Sequence, residues 1–159
     1  LVVSKISDIF AGRSISRTLG INKDDVDGME KTLKLMDEDF TGLAFVNLVD
    51  FDMQYGHRRD IDGYAKAATV FDRQLGEFMA KMKDDDLLMI TADHGCDPGA
   101  PGTDHTREYV PLLMYGKHVK AGLNLGTYPT FAMIGATISD IFGADLYTKG
   151  ESLLPRIIE

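Results

Sequence analysis

The chain contains a nearly continuous apolar run, Leu43-Ala44-Phe45-Val46-Asn47-Leu48-Val49, which leads directly into Asp50, Phe51 and Asp52. Runs of this kind are typical of central parallel strands, which are covered on both faces. A second run, Leu87-Leu88-Met89-Ile90-Thr91, leads in the same way into Ala92-Asp93-His94-Gly95. Both runs therefore predict buried strands that end in side chains able to bind a metal ion.

Helical patterns alternate with these strands. Apolar residues recur at steps of three and four across 61–82, with Asp60 in the N-cap position, and this is the clearest helix prediction. The same spacing predicts helices at 26–36 and 130–142, the latter ended by Gly143, while strands are predicted at 1–5 and 110–115. The alternation predicts an α/β fold in which 43–49, 87–91 and 110–115 adjoin in a mainly parallel sheet with helices on both faces.

Composition narrows the range of functions. The 159 residues carry a formal net charge of -8, because 25 acids outnumber 17 Lys and Arg, so neither nucleic acid nor an anionic membrane is an expected partner. Neither a membrane span nor a signal peptide is expected. The single cysteine, Cys96, cannot form an intramolecular disulfide, which favours a cytoplasmic location.

Candidate metal ligands follow the predicted strands, where the ligand crevice of an open α/β sheet lies. Asp52 and His57 are five residues apart around Gly56. An extended segment would separate them by about 16 Å, so a shared ion requires a curled loop. Asp93 and His94 would share an ion only where the chain leaves the strand and turns.

A further candidate, His105, lies in a loop rich in Gly and Pro that has no hydrophobic period. Each candidate alone has an ordinary explanation: His57 could be a hydrogen-bonded surface histidine and Asp52 could cap a turn. Cys96 could be a thiolate ligand, although a single thiol is more often a small apolar filler. Together, three histidines near aspartates favour a metal site, and their mixed oxygen and nitrogen donors suit Mn²⁺, Mg²⁺ or Zn²⁺. Two ions would fit five or six ligands better than one.

Three stretches resemble the metal motifs of the phosphopentomutase family, which belongs to the alkaline phosphatase superfamily. They are Asn47-Leu48-Val49-Asp50-Phe51-Asp52-Met53-Gln54-Tyr55-Gly56-His57-Arg58-Arg59-Asp60, Thr91-Ala92-Asp93-His94-Gly95 and Gly102-Thr103-Asp104-His105-Thr106-Arg107-Glu108. Similarity also covers Lys5-Ile6-Ser7-Asp8-Ile9-Phe10-Ala11-Gly12 and the last predicted helix. The resemblance thus spans essentially the whole chain.

By this resemblance, Asp52, His57 and His105 hold one manganese ion, and Asp93 and His94 hold a second together with an aspartate from an amino-terminal part of the enzyme. The resemblance implies an alkaline phosphatase-like core that is incomplete in this chain, since 1–159 would be its carboxy-terminal part, without the amino-terminal half and the cap domain. The nucleophilic threonine belongs to the missing half, so no catalytic residue is assigned here. The start at Leu1-Val2-Val3, without an initiator Met, also suggests a fragment.

The implied reaction interconverts ribose 1-phosphate or deoxyribose 1-phosphate with the 5-phosphate, through a phosphothreonine enzyme and a bisphosphorylated sugar. It connects nucleoside breakdown with central carbon metabolism. The fragment alone is expected to be inactive. Two alternatives are another metal-dependent phosphomutase or phosphatase of the same superfamily, and a non-catalytic metal-binding module.

Overall fold

The computed structural model describes residues 2–3, 11–13, 15–145 and 149–159. Their helices and strands are, in chain order, β1 (Val2–Val3), α1 (Asp25–Leu35), β2 (Phe45–Val46), a π-helical segment (Phe51–Gly56), α2 (Ile61–Lys81), β3 (Leu88–Thr91), β4 (Leu112–Tyr115), α3 (Ala132–Ile141) and α4 (Leu154–Ile157). They divide into two compact units, Leu1–Lys83 with Thr91–Leu112, and Asp84–Ile90 with Leu113–Glu159. Every candidate metal ligand lies in the first unit.

The strands within the described residues form two sheets of two strands each. β1 pairs with β2 in parallel, with Val2 opposite Phe45 and Val3 opposite Val46, whereas β3 pairs with β4. The prediction of one mainly parallel sheet with helices on both faces is therefore not confirmed. The run 43–49 predicts a strand buried on both faces, yet only Phe45–Val46 is strand and Leu43 and Phe45 are each 45% exposed. Among the described residues β2 pairs with β1 alone, whereas a strand buried on both faces belongs in the interior of a covered sheet.

The helix predictions agree better with the structure. The predicted helices at 26–36, 61–82 and 130–142 correspond to α1, α2 and α3, each within two residues at either end. Asp60 caps α2 as predicted, because its carboxylate accepts a hydrogen bond of 2.8 Å from the backbone N–H of Gly63. Gly143 follows α3 with a φ of 60°, a conformation in which glycine commonly ends a helix.

In the first unit, α1 packs against α2, with Met29 and Leu35 of α1 buried. The π-helical segment packs on α2 through Phe51, whose ring meets that of Tyr64 edge to face at 5.1 Å. No residue of α2 is fully buried, although its apolar period is the most regular in the sequence. The helix thus supports the π-helical segment along one side.

The second unit is built around α3 and α4, with Leu153 and Ile157 buried. The fully buried hydroxyl of Thr137 donates to the Met133 carbonyl at 2.7 Å and accepts from the Leu153 N–H at 2.8 Å, which ties the chain before α4 to α3. Among the helices that the structure describes, none has the length and apolar character that crossing a bilayer demands.

Candidate metal centre

The π-helical segment brings Asp52 and His57 together. Its hydrogen bonds join residues five apart, as between the N–H of His57 and the carbonyl of Asp52 at 3.0 Å. The side chains then lie on the same side of the segment, with His57 Nε2 3.2 Å from Asp52 Oδ1. The predicted curled loop is thus a short π-helix, a rare element that occurs frequently at functional sites.

Asp52 is the centre of the arrangement. Besides His57, its Oδ1 lies 3.3 Å from Nε2 of His105 and 3.3 Å from the sulfur of Cys96. The Asp52 side chain is 30% exposed, so the carboxylate is partly shielded from water while one side remains open to a ligand. The Gly/Pro-rich loop therefore brings His105 close to Asp52.

The histidine rings are held in defined orientations. Nδ1 of His57 is hydrogen-bonded to the Thr103 carbonyl, and because a carbonyl only accepts, this nitrogen carries the hydrogen and Nε2 faces Asp52. The His105 ring stacks on that of His94, with centroids 3.7 Å apart and planes inclined by 23°. We call Asp52, His57, His94 and His105 the Asp52 cluster.

Three members of the Asp52 cluster are spaced to share a divalent cation. Ligand atoms of Asp52, His94 and His105 all lie within 4.8 Å of one another. Two ligand atoms bound to one ion at about 2.1 Å and at right angles would be about 3 Å apart, close to the spacings around Asp52 Oδ1. A neutral His57 turns its Nε2 lone pair toward the carboxylate, which is unfavourable unless a cation lies between them or the ring is protonated. A carbonyl on the other ring nitrogen is the usual partner of a metal-bound histidine.

Asp93 is placed differently from the other candidates. Its side chain is 83% exposed, and its Oδ1 lies 3.6 Å from His94 Nε2. The structure therefore brings His94 into the Asp52 cluster and leaves Asp93 at its solvent-facing margin. The assignment of the five ligands to two separate ions remains a prediction.

Cys96 packs tightly against the π-helical segment. A Cβ atom on the buried Gly56 would come within 2.1 Å of the Cys96 sulfur, so glycine is required there. Burial, the hydrogen bond to Asp52 and nearby acidic charges raise the pKa of the Cys96 thiol to about 11. The thiol is thus a donor to Asp52. The sequence suggested a thiolate ligand or an apolar filler at Cys96 and did not predict this donor role, and the Thr103 carbonyl left no signal in the sequence.

A cleft of about 290 Å³ opens beside the Asp52 cluster, within the same unit. Its lining includes His94 and Cys96 as well as Tyr64, Glu108 and Tyr109. The Glu108 carboxylate accepts a hydrogen bond from the Thr106 hydroxyl. With a carboxylate in its wall, the cleft suits hydroxyl groups better than it suits an anion.

Comparison with known proteins agrees with the presence of a metal-binding site. Residues 6–146 match the family described as the metalloenzyme superfamily. The chain is 54% identical over 159 residues to a phosphopentomutase of Lachnoclostridium phytofermentans, which covers 100% of this chain and 40% of the relative. It is 53% identical to a phosphopentomutase of Acetivibrio thermocellus, over 98% of this chain and 40% of the relative. For a phosphopentomutase of Carboxydothermus hydrogenoformans the identity is 55%, over 91% of this chain and 37% of the relative. The chain thus spans about two fifths of the length of these relatives.

Proposed function

The chain belongs to the metalloenzyme superfamily, and from that premise we propose that it forms the metal-binding part of a phosphopentomutase. The observation that carries the proposal is the convergence of His57 and His105 on one oxygen of Asp52, at 3.2 and 3.3 Å. The substrate would be ribose 1-phosphate or deoxyribose 1-phosphate, converted to the 5-phosphate. Identity above 50% over nearly the whole chain supports this choice over other activities of the superfamily.

Asp52, His57 and His105 would hold one divalent ion, and Asp93 and His94 would contribute to a second. When bound, two such ions, which we take to be Mn²⁺, lower the pKa of a nucleophile, orient a phosphate and neutralise the charge that grows on its oxygens. The Thr103 carbonyl contributes by fixing the His57 ring, so that Nε2 is available as a ligand. Glu108, in the wall of the cleft, would direct the phosphate away from that wall and accept hydrogen bonds from sugar hydroxyls.

The phosphoryl group would be accepted by a threonine outside this sequence, which gives a phosphothreonine enzyme and a bisphosphorylated sugar intermediate. Thr91 and Thr103 of this chain are poor candidates. The Thr91 hydroxyl donates to the Pro111 carbonyl at 2.8 Å, and Thr103 meets the cluster through its backbone. On this proposal, 1–159 is the carboxy-terminal part of a catalytic core whose remainder supplies the threonine, an aspartate ligand and a cap domain, and the chain alone is inactive.

The architecture proposed for the whole catalytic core is a mainly parallel sheet with helices on both faces. The parallel pairing of β1 with β2 supports it. Strands from the part of the relatives that this chain does not cover would supply the missing partners.

The test is an assay of the full-length protein with ribose 1-phosphate, 3-phosphoglycerate and a generic phosphate ester, before and after metal removal. We expect formation of ribose 5-phosphate alone, abolished by a chelator and restored by Mn²⁺. Preferred turnover of 3-phosphoglycerate or of the ester would replace phosphopentomutase with another activity of the superfamily. Conversion of ribose 1-phosphate by purified 1–159 would show that the acceptor lies within this chain.

A further inference from the structure

The start of α1 is bonded to the segment that leads into the metal centre. The carboxylate of Asp25 accepts hydrogen bonds through Oδ1 from the N–H groups of Val49 and Asp50, at 2.7 and 3.0 Å. In return, the N–H of Asp25 donates to Asp50 Oδ2 at 2.8 Å. The side chains of Asp25 and Asp50 are thus linked by reciprocal hydrogen bonds to the backbone, two residues before Asp52. We call this pair of residues the Asp25 clasp.

The burial of this clasp is unusual for two acidic residues. Asp50 is only 8% exposed, and Oδ2 of Asp25 is buried without a hydrogen-bond partner among the described residues. Burial raises the pKa of Asp25 above its ordinary value. A buried polar atom without a partner costs free energy, so Asp25 lowers stability in this respect.

Helix capping does not account for Asp25. The N-cap of α1 is Asp24, whose Oδ1 accepts from the N–H of Asp27 at 2.7 Å. Asp25 instead directs its carboxylate away from its own helix, to the backbone of Val49 and Asp50. Val49 in turn accepts a hydrogen bond from the N–H of Met53 at 2.9 Å, within the turn that carries Asp52.

We propose that Asp25 is a positioning residue for the metal centre: it fixes the backbone of Val49 and Asp50, and thereby the direction in which the π-helical segment presents Asp52. Other contacts hold α1 close to the same segment. The side-chain amide of Asn22 donates to the Asn47 carbonyl at 3.2 Å. A Cβ atom on Gly28 would lie 2.9 Å from a methyl carbon of Leu48. The inference rests on the proposed role of Asp52 as a metal ligand.

The test compares Mn²⁺ binding by isothermal titration calorimetry in the full chain and three variants. Asp25→Ala removes the acceptor and is expected to weaken binding about 10-fold or more, within the range typical of outer-shell partners. Asp25→Asn keeps an acceptor oxygen and should stay within about threefold of the unmodified chain. Asp24→Ala is the matched control: it removes the cap of the same helix and lowers the melting temperature, but should leave the Mn²⁺ affinity unchanged.

The outcomes separate the inference from the function on which it depends. Failure of the unmodified chain to bind Mn²⁺ would contradict the proposed metal centre itself. Binding by the unmodified chain with equal affinity in Asp25→Ala would overturn the role of Asp25 alone. An equal loss in Asp24→Ala would also overturn it, because helix stability would then be the cause. If Asp25→Ala does not fold, Asp25→Glu replaces it: the added methylene displaces the acceptor, and the same 10-fold loss is expected.

Discussion

Asp52 and Asp93 are both aspartates that follow an apolar run by a few residues, and the structure gives them opposite surroundings. Asp52 is 30% exposed, with two histidine nitrogens and a sulfur between 3.2 and 3.3 Å from one of its oxygens. Asp93 is 83% exposed and has His94 as its neighbour at 3.6 Å. Asp52 and Asp93 therefore follow apolar runs in the same way in the sequence but have different surroundings in the structure.

The local backbone explains the difference. The π-helical segment turns Asp52 back toward His57, and the Asp25 clasp fixes the chain where that turn begins. After β3, by contrast, Asp93 lies in a bend that leaves its side chain in solvent. Position after a strand thus does not by itself determine how closely an aspartate is surrounded: at Asp52 the chain also folds back onto His57.

The largest effect is expected from matched aspartate-to-asparagine substitutions. Asp52→Asn removes the negative charge at the centre of the Asp52 cluster. Mn²⁺ affinity should fall by at least about 100-fold, the upper end of the losses seen when a residue that only hydrogen-bonds to a metal ligand is replaced. Asp93→Asn should change the dominant binding event by no more than about threefold, because this carboxylate is mostly solvated. Calorimetry on both variants measures the difference directly. Equal losses of Mn²⁺ affinity in the two variants would show that Asp52 and Asp93 contribute equally to binding.

A smaller effect is expected from the two stacked histidines. His105→Ala should weaken Mn²⁺ binding about 10-fold or more, because its Nε2 lies 3.3 Å from Asp52 Oδ1. His94→Ala should cost about threefold, chiefly through loss of the ring stacking on His105. Equal effects would mean that Asp52, His94 and His105 hold one ion together, as their mutual spacing also permits.

Local patterns predicted the helices well and the sheet poorly, for a physical reason. The period of α2 and the cap at Asp60 are local properties of the sequence, and both are present in the structure. A strand depends on partners that are distant in sequence, and Leu113 and Tyr115 of β4 are 60% and 50% exposed. The apolar runs therefore indicate which residues favour burial, but not which strands pair.

In the candidate site, too, local spacing was informative and contacts between distant residues were not predicted. The spacing of Asp52 and His57 allowed a curled loop to bring them together, and in the structure Nε2 of His57 lies 3.2 Å from Oδ1 of Asp52. That the turn is π-helical, and that the Asp25 carboxylate and the Thr103 carbonyl support it, depends on backbone contacts across distant parts of the sequence. Any residue can supply a backbone carbonyl, so residue types alone could not have shown that contact.

A still smaller effect on affinity is expected from Gly56→Ala. The new methyl group would meet the Cys96 sulfur at 2.1 Å and the Phe51 carbonyl oxygen at 3.0 Å, so the turn must shift. We expect a loss of about 1–3 kcal/mol of stability, typical of overpacking, and about fivefold weaker Mn²⁺ binding. Gly76→Ala, on α2 with open space around its Cα, is the control and should stabilise slightly. An unchanged denaturation midpoint in Gly56→Ala would show that the close approach to Cys96 is not required.

The smallest effect is expected at Cys96, the neighbour of Asp52 that is not counted among the ligands. Its sulfur lies 3.3 Å from Asp52 Oδ1 as a hydrogen-bond donor, and a thiol is a weak donor. Cys96→Ala should therefore weaken Mn²⁺ binding by no more than about threefold, below the usual range for outer-shell partners. Cys96→Ser should restore it, since a hydroxyl donates to the same oxygen more strongly. The two variants also separate a donor from a thiolate ligand. A thiolate would favour Zn²⁺ over Mn²⁺, so a loss of 10-fold or more in Zn²⁺ affinity in both variants, with Mn²⁺ affinity unchanged, would place the sulfur in the coordination sphere.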